Sequence, residues 1–278
     1  DVVLLDIIMP GMSGVEALER LREMDPEARV FMVTAVDQDH INRRLMLMGA
    51  AGIIYKPFST GDFERAFHSH GFAPAAQEKK PAPAEDDVIT RLAAGGLSKC
   101  MLRTGDDSSW AWELCDIRAF SGRISDAAAL LDFGRSSAAV QINIREGGPY
   151  VSAMIFRGED IGLISKCMGK GPLYDTAGIV SLDESMLLEI GNIILNALSN
   201  PLFNSLKTIA IPSVPILIKG GRGSVAAGFS SCLDPKLDLR IIAAELAMRS
   251  EGRTARARVV AILPEELAVL VQRTAADS

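Results

Sequence analysis

Three short apolar runs near the start of the chain restrict its fold more than anything else in it: Val2-Val3-Leu4-Leu5, ending at Asp6; Val30 to Ala35; and Gly52 to Tyr55, ending at Lys56-Pro57. A continuous run of β-branched residues and leucine is what a parallel strand buried on both faces requires, because helices cover such a sheet from either side. Helical periodicity fills the intervals, over about 14–24 and 39–48. Strands alternating with helices predict an open, doubly wound α/β sheet. In such sheets functional groups gather at the carboxyl ends of the strands, which here carry Asp6, Thr34 and Lys56. Spacing alone favours three unrelated polar strand caps over a shared site.

The 278 residues are 48% apolar with a net charge of -6, a length and balance that fit about two globular domains and exclude disorder. No basic block is present to neutralise a phosphate backbone, so nucleic acid is not expected as a partner. The uncharged stretch from Ile190 to Leu206 contains asparagines and a proline, which argues against membrane insertion. Cys100, Cys115, Cys167 and Cys232 are too widely spaced for metal pairs, and His40, His68 and His70 lie far from them. Reduced thiols in a cytoplasmic protein are the expectation. The chain opens on Asp1 rather than Met with no basic-then-apolar leader, so it reads as a piece of a longer protein.

Residues 71–87 are rich in Pro, Ala and paired charges and offer little to bury. They read as a linker, spanning roughly 20–25 Å if flexible. The expected division is therefore 1–70, a linker at 71–87, and a second domain at 88–278. That second domain reads as an internal duplication, with helix, strand, strand and helix recurring after residue 181. Tyr150 to Phe156 followed by Glu159-Asp160-Ile161 parallels Arg258 to Pro264 followed by Glu265-Glu266-Leu267. Each is an apolar strand feeding a helix that opens on acids, where the positive helix terminus favours them. An α+β unit built twice is expected.

Ser181-Leu182-Asp183-Glu184 has capping-box spacing and predicts a helix start. At 100° per residue Ser185, Glu189, Asn192, Asn196 and Ser199 fall on one narrow arc, and apolar residues occupy the rest. A solvated helix face is the plain reading of such a stripe. Solvated faces, however, favour Lys, Glu and Arg, whose helix propensities exceed those of Asn and Ser. The composition of this stripe weakens the solvated-face reading, which still leads, without naming a reaction.

Leu4-Leu5-Asp6-Ile7-Ile8-Met9-Pro10-Gly11-Met12-Ser13-Gly14, Val33-Thr34-Ala35, Gly49-Ala50 and Lys56-Pro57-Phe58 resemble the response-regulator receiver family over residues 1 to about 70. The resemblance implies that Asp6 is the phosphoacceptor, Thr34 the hydroxyl that contacts the phosphoryl group and Lys56 its cation. It also implies Mg²⁺ as cofactor, held by Asp6 and the Ile8 backbone carbonyl, and a histidine kinase as phosphodonor to the complete receiver. Two departures are visible. The family's first strand, first helix and second strand, with the acidic pair for Mg²⁺, are absent, so the receiver and its metal site are expected to be incomplete. Ile53 also stands at the family's aromatic switch position.

Ser185-x-x-x-Glu189-x-x-Asn192, with Pro215 after 22 intervening residues, resembles the signature of the CheC and CheX phosphatases of bacterial chemotaxis, which dephosphorylate a CheY-type receiver. By that resemblance Glu189 and Asn192 are catalytic, Ser185 and Pro215 support them, and a phosphorylated CheY-type response regulator is the partner. Asn192 would orient the attacking water and Glu189 would pair with the receiver's lysine; no metal is expected in this second domain. Many members carry the signature twice. Here Ser109, Glu113 and Asp116 stand at the expected equivalent place, a degenerate second site, since ionised aspartate lacks the donor of asparagine. Two non-catalytic readings remain open: a docking module like those of the flagellar switch, and an output domain whose homodimerisation follows receiver phosphorylation.

Overall fold

The structure, a computed structural model, describes residues 2–58, 62, 63, 66, 87–104, 111–131, 137–144, 148–168, 182–220, 222–234, 236–250 and 252–276. The proposed linker lies outside them except for Asp87, as do Ser109 and the expected cap Ser181.

The first unit comprises β1 (Val2–Asp6), α1 (Gly14–Met24), β2 (Arg29–Thr34), α2 (Asp39–Leu47) and β3 (Gly52–Tyr55). Its strands pair in parallel in the order β1-β2-β3. Leu18 of α1 and Ile41 and Leu45 of α2 pack with Leu5, Val30 and Met32 on one face. Phe31, Val33 and Ile54 face the other side with Phe63 and Ala66. Coverage from both sides is why β2 reads as a continuous apolar run, whereas Val2 and Leu4 of β1, an edge strand, are exposed on one face. Ser13 and Glu16 close a capping box at the start of α1, each side chain accepting from the other's backbone amide.

The second unit runs α3 (Val88–Thr104), β4 (Ala111–Gly122), α4 (Ile124–Ala129), β5 (Ser137–Ile144), β6 (Tyr150–Arg157), α5 (Gly158–Met168), α6 (Leu182–Ser205), β7 (Ile216–Lys219), α7 (Arg222–Cys232), β8 (Leu239–Ser250), β9 (Arg253–Pro264) and α8 (Glu265–Ala276). The sequence helix, strand, helix, strand, strand, helix thus occurs twice. The six strands form an antiparallel sheet in the order β4-β8-β9-β6-β5-β7, so the first strand of each half crosses over to pair with the other half. One sheet face packs under α3, α5, α6 and α8, the other under α4 and α7. All four cysteines are free thiols.

α6 meets the length and hydropathy of a membrane span, but two thirds of that stretch is buried inside the protein. It is the central helix of the second core. Leu187, Ile190, Ile194, Leu195 and Leu198 are buried in that core. Gly191 lies where a Cβ would come within 2.5 Å of the Val140 side chain, which fixes how closely α6 descends on β5. Pro201 interrupts α6 and leaves the Ala197 carbonyl without its usual i+4 donor. Gly96 of α3 crosses there, at a position where a Cβ would stand 2.0 Å from that oxygen.

Two adjacent glycines of α3 should therefore respond oppositely. Gly96→Ala is expected to cost about 1–3 kcal/mol through overpacking. Gly95→Ala, with nothing within 4 Å of its new methyl group, should gain about 0.5–1 kcal/mol from helix propensity. Urea midpoints of the two variants check the contrast.

Candidate functional site

The strand ends of the first unit position its polar residues. Asp6 closes β1 and accepts the Ile8 amide on Oδ1 (3.2 Å) and the Lys56 ammonium on Oδ2 (2.8 Å). Lys56 follows β3 directly, anchored by its amide on the Thr34 carbonyl (2.8 Å). Thr34 is fully buried at the end of β2 and its hydroxyl accepts the Val36 amide (3.0 Å). The loop after Asp6 folds back tightly: Gly14 donates to the Ile7 carbonyl (3.0 Å), and a Cβ on Gly14 would stand 1.9 Å from the Asp6 carbonyl oxygen. Gly11 takes a φ of 82°, the left-handed region open to glycine.

The second unit completes the arrangement. Glu189 of α6 reaches the same ammonium, Oε1 to Nζ 2.9 Å. One cation is thus shared by two carboxylates from sequence positions far apart, with the lysine side chain only 14% exposed. Asn192, one turn further along, is 4% exposed. The amide of Asn196 donates to both the backbone oxygen (2.7 Å) and side-chain oxygen (2.9 Å) of Asn192. That pairing fixes which way the Asn192 carboxamide faces.

Ser185 lies one turn before Glu189, at the start of the polar arc. Pro215 stands between two stretches of pairing with β5, the contacts of Pro212 and Ser213 with Ile144 and Asn143 and the β7 ladder from Ile216. No ladder bond needs its absent N–H there, and β7 is an edge strand, the setting proline tolerates.

The expected second site is corrected by the structure. Glu113 and Asp116 lie on strand β4, on either side of a bulge at Cys115, and face solvent, Glu113 pairing with Arg249 (3.2 Å). The element equivalent to α6 in the first half is α3, which contains neither Glu nor Asn. The alternation of Trp112 and Leu114, resumed out of phase by Ile117 and Ala119 across the bulge, is strand patterning rather than helical.

Among the described residues no three His, Cys, Asp or Glu side chains cluster as metal ligands. Asp6 and the Ile8 carbonyl are the oxygens available for Mg²⁺, and both Asp6 oxygens already accept hydrogen bonds. Mg²⁺ demands six oxygens in near-octahedral geometry, so these residues do not by themselves make a complete site.

Sequence reasoning missed Asn200, Asn204 and Gln38. Asn200 donates to the Ala35 carbonyl (3.0 Å), and Asn204 contacts the backbone at Asp37 and Asp39. The signal for the two asparagines was present as the i+4 continuation Asn196, Asn200, Asn204 of the polar stripe; none pointed to Gln38. A cavity of about 470 Å³ opens beside this seam, with Asp37, Tyr55 and Lys56 on one side and Ala197, Asn200 and Pro201 on the other.

The family model for the response regulator receiver domain matches residues 1–68. The N-terminal segment is a response regulator receiver domain. Over 57 residues the chain is 39% identical to the chemotaxis protein CheY of Treponema pallidum, covering 20% of this chain and 40% of that protein. The chain spans less than half the length of the curated relatives it matches. Among solved structures it is similar to FliY of Thermotoga maritima, at 16% identity and a TM-score of 0.44 over 68% of this chain and 90% of that one. It is also similar to the chemotaxis protein CheX of Desulfovibrio desulfuricans, at 11% identity and a TM-score of 0.38 over 63% and 98%.

The receiver's Lys56 titrates abnormally. Burial pulls its pKa down, but the charges of Glu189 and Asp6 and the hydrogen bonds they accept push it up further, and the net lies above the ordinary 10.5. A cation stabilised in the folded state contributes in full below its unfolded pKa and is lost as pH rises through the higher folded value. The contact between receiver and α6 is therefore expected to persist to pH 10.5 and weaken above it. Titration of the lysine Cε resonances checks this: the Lys56 signal should move after those of the exposed lysines, and Glu189→Gln should bring its midpoint down.

Proposed function

We propose that the second unit is a CheC-type phosphatase that hydrolyses the aspartyl phosphate of a CheY-type receiver in chemotaxis or a related two-component pathway. The attached receiver is its substrate or its regulator. The observation that carries this reading is the position of Lys56, held 2.8 Å from Asp6 and 2.9 Å from Glu189. The lysine that follows β3 in one unit and the glutamate of the α6 motif in the other meet beside the candidate phosphoacceptor, with Asn192 on the next turn.

In this reading a phosphorylated receiver reaches the second unit after charging by a histidine kinase, and Asp6 is the phosphoacceptor in the complete receiver. An acyl phosphate already has a good leaving group, so catalysis is chiefly positioning. A water oxygen attacks phosphorus, the bond to the aspartate oxygen breaks, the carboxylate leaves with the electron pair, and the water's protons pass to phosphate and solvent. Asn192 orients the water through a neutral carboxamide that can both accept and donate without adding negative charge. Asn196 keeps that carboxamide in one orientation, and Glu189 sets the depth of approach through the lysine. Thr34 contacts the phosphoryl group; Ser185 and Pro215 support α6 and the strand that follows it. Mg²⁺ would supply charge neutralisation when bound by a complete receiver.

The low exposure of Asn192 also suits a docking module without chemistry, and one variant separates the two. Asn192→Ala is expected to lower phosphate release from a phospho-receiver on the order of 10²–10³-fold while leaving association nearly intact. Single-turnover release of labelled phosphate measures it, and a rate near the parental one rejects the phosphatase assignment.

A further inference from the structure

Beyond the reactive pair, the two units meet along a line that the proposed chemistry does not need. Asn200 and Asn204 lie about two and three turns past Asn192, so contact with the receiver from Glu189 to Asn204 extends roughly 22 Å along α6. Asn204 uses both ends of its carboxamide, Nδ2 donating to the Asp37 carbonyl (3.0 Å) and Oδ1 accepting the Asp39 amide (3.1 Å). Gln38 answers in the opposite direction, Nε2 donating to the Ala210 carbonyl (2.7 Å) and Oε1 accepting the Ala210 amide (3.1 Å). Gln38 is 1% exposed and Ala210 fully buried. Ile209 packs against the apolar cluster of the receiver. Lys99 pairs with Asp37 (3.0 Å) in a more exposed position and adds little.

One detail marks this seam as built. The receiver's α2 begins after Gln38 without a side-chain cap of its own. Its first amide, at Asp39, is satisfied instead by Asn204 of the other unit. The side chain that would ordinarily sit at the cap is turned outward to pair with Ala210.

We propose that Gln38, Asn200 and Asn204 are specificity residues that assign the α6 face to the receiver on the same chain and hold it against other receivers. This rests on the phosphatase reading and names the partner of that site. The asparagines read backbone, which every receiver offers. Gln38 is read as a side chain, because the buried N–H and C=O of Ala210 both need partners and only a carboxamide of that length supplies acceptor and donor together. A receiver with another residue there leaves a buried polar group unpaired, a penalty that sets partner choice. While the seam is closed, a second receiver meets an occupied helix, and its apparent affinity falls by the fraction of time the face is open.

The test uses the full chain and Gln38→Glu, which keeps size and the acceptor for the Ala210 amide but removes the donor to its carbonyl. Gln38→Ala removes both contacts with Ala210 and, like the first variant, leaves unchanged the α6 face that the probe meets. The probe is a separate CheY-type receiver, loaded with beryllofluoride for binding and with aspartyl phosphate for turnover. Both variants are expected to bind the loaded probe about tenfold or more tightly than the parent, and to lower KM for the phosphorylated probe with little change in kcat. Equal affinity and equal KM in parent and variants, with both variants folded by circular dichroism, overturns the proposal. Tighter capture with no phosphate release leaves the seam standing and overturns the phosphatase reading instead.

Discussion

A mostly buried ammonium, its side chain 14% exposed, is shared by two carboxylates and organises this molecule. Lys56 leaves water at a cost, and neither Asp6 nor Glu189 alone would offset it as well as the two together. Asp6 belongs to the sheet of the receiver and Glu189 to the central helix of the second unit, so the charge balance of one site depends on the relative position of two folds. The strand ends that carry Asp6 and Lys56, the close approach of Gly14 and the descent of α6 onto β5 at Gly191 all bear on that one contact.

Apart from the exposed Lys99–Asp37 pair, the polar contacts in the rest of the seam are made by neutral amides, and the reason is electrostatic. Asn196, Asn200 and Gln38 are almost wholly buried. Lysine or glutamate at these places would need a counter-charge for each, whereas a carboxamide is neutral and its donor finds a peptide carbonyl, at Asn192 for Asn196, at Ala35 for Asn200 and at Ala210 for Gln38. The stripe on α6 therefore changes character along its length, charged where it meets Lys56 and neutral where it reads backbone.

The duplicated architecture is symmetric in its elements and asymmetric in its chemistry. α3 and α6 are adjacent and occupy equivalent places in their halves, but α3 brings glycines to the crossing while α6 brings the polar arc. Most of the polar contact with the receiver falls to α6, and α3 adds the exposed Lys99–Asp37 pair. Otherwise α3 supports α6.

Much of this was written locally in the chain. The three apolar runs, the polar residues at their ends and the phase of Glu189 and Asn192 on one helix arc follow from periods of 2 and 3.6, which any short window contains. The strand at Ala111–Gly122 matches the second-site motif in residue types alone, and the bulge at Cys115 shifts its alternation so that the strand period is hard to see in the sequence. The pairing of Gln38 with Ala210 and of Asn204 with Asp37 and Asp39 could not be read at all. Those partners are 165 to 172 residues apart, and a hydrogen bond across such a distance leaves no periodic trace. Sequence determined which groups were available and on which faces; only the packing of the two units decided that Glu189 would meet Lys56, because that depends on the shape of two cores at once.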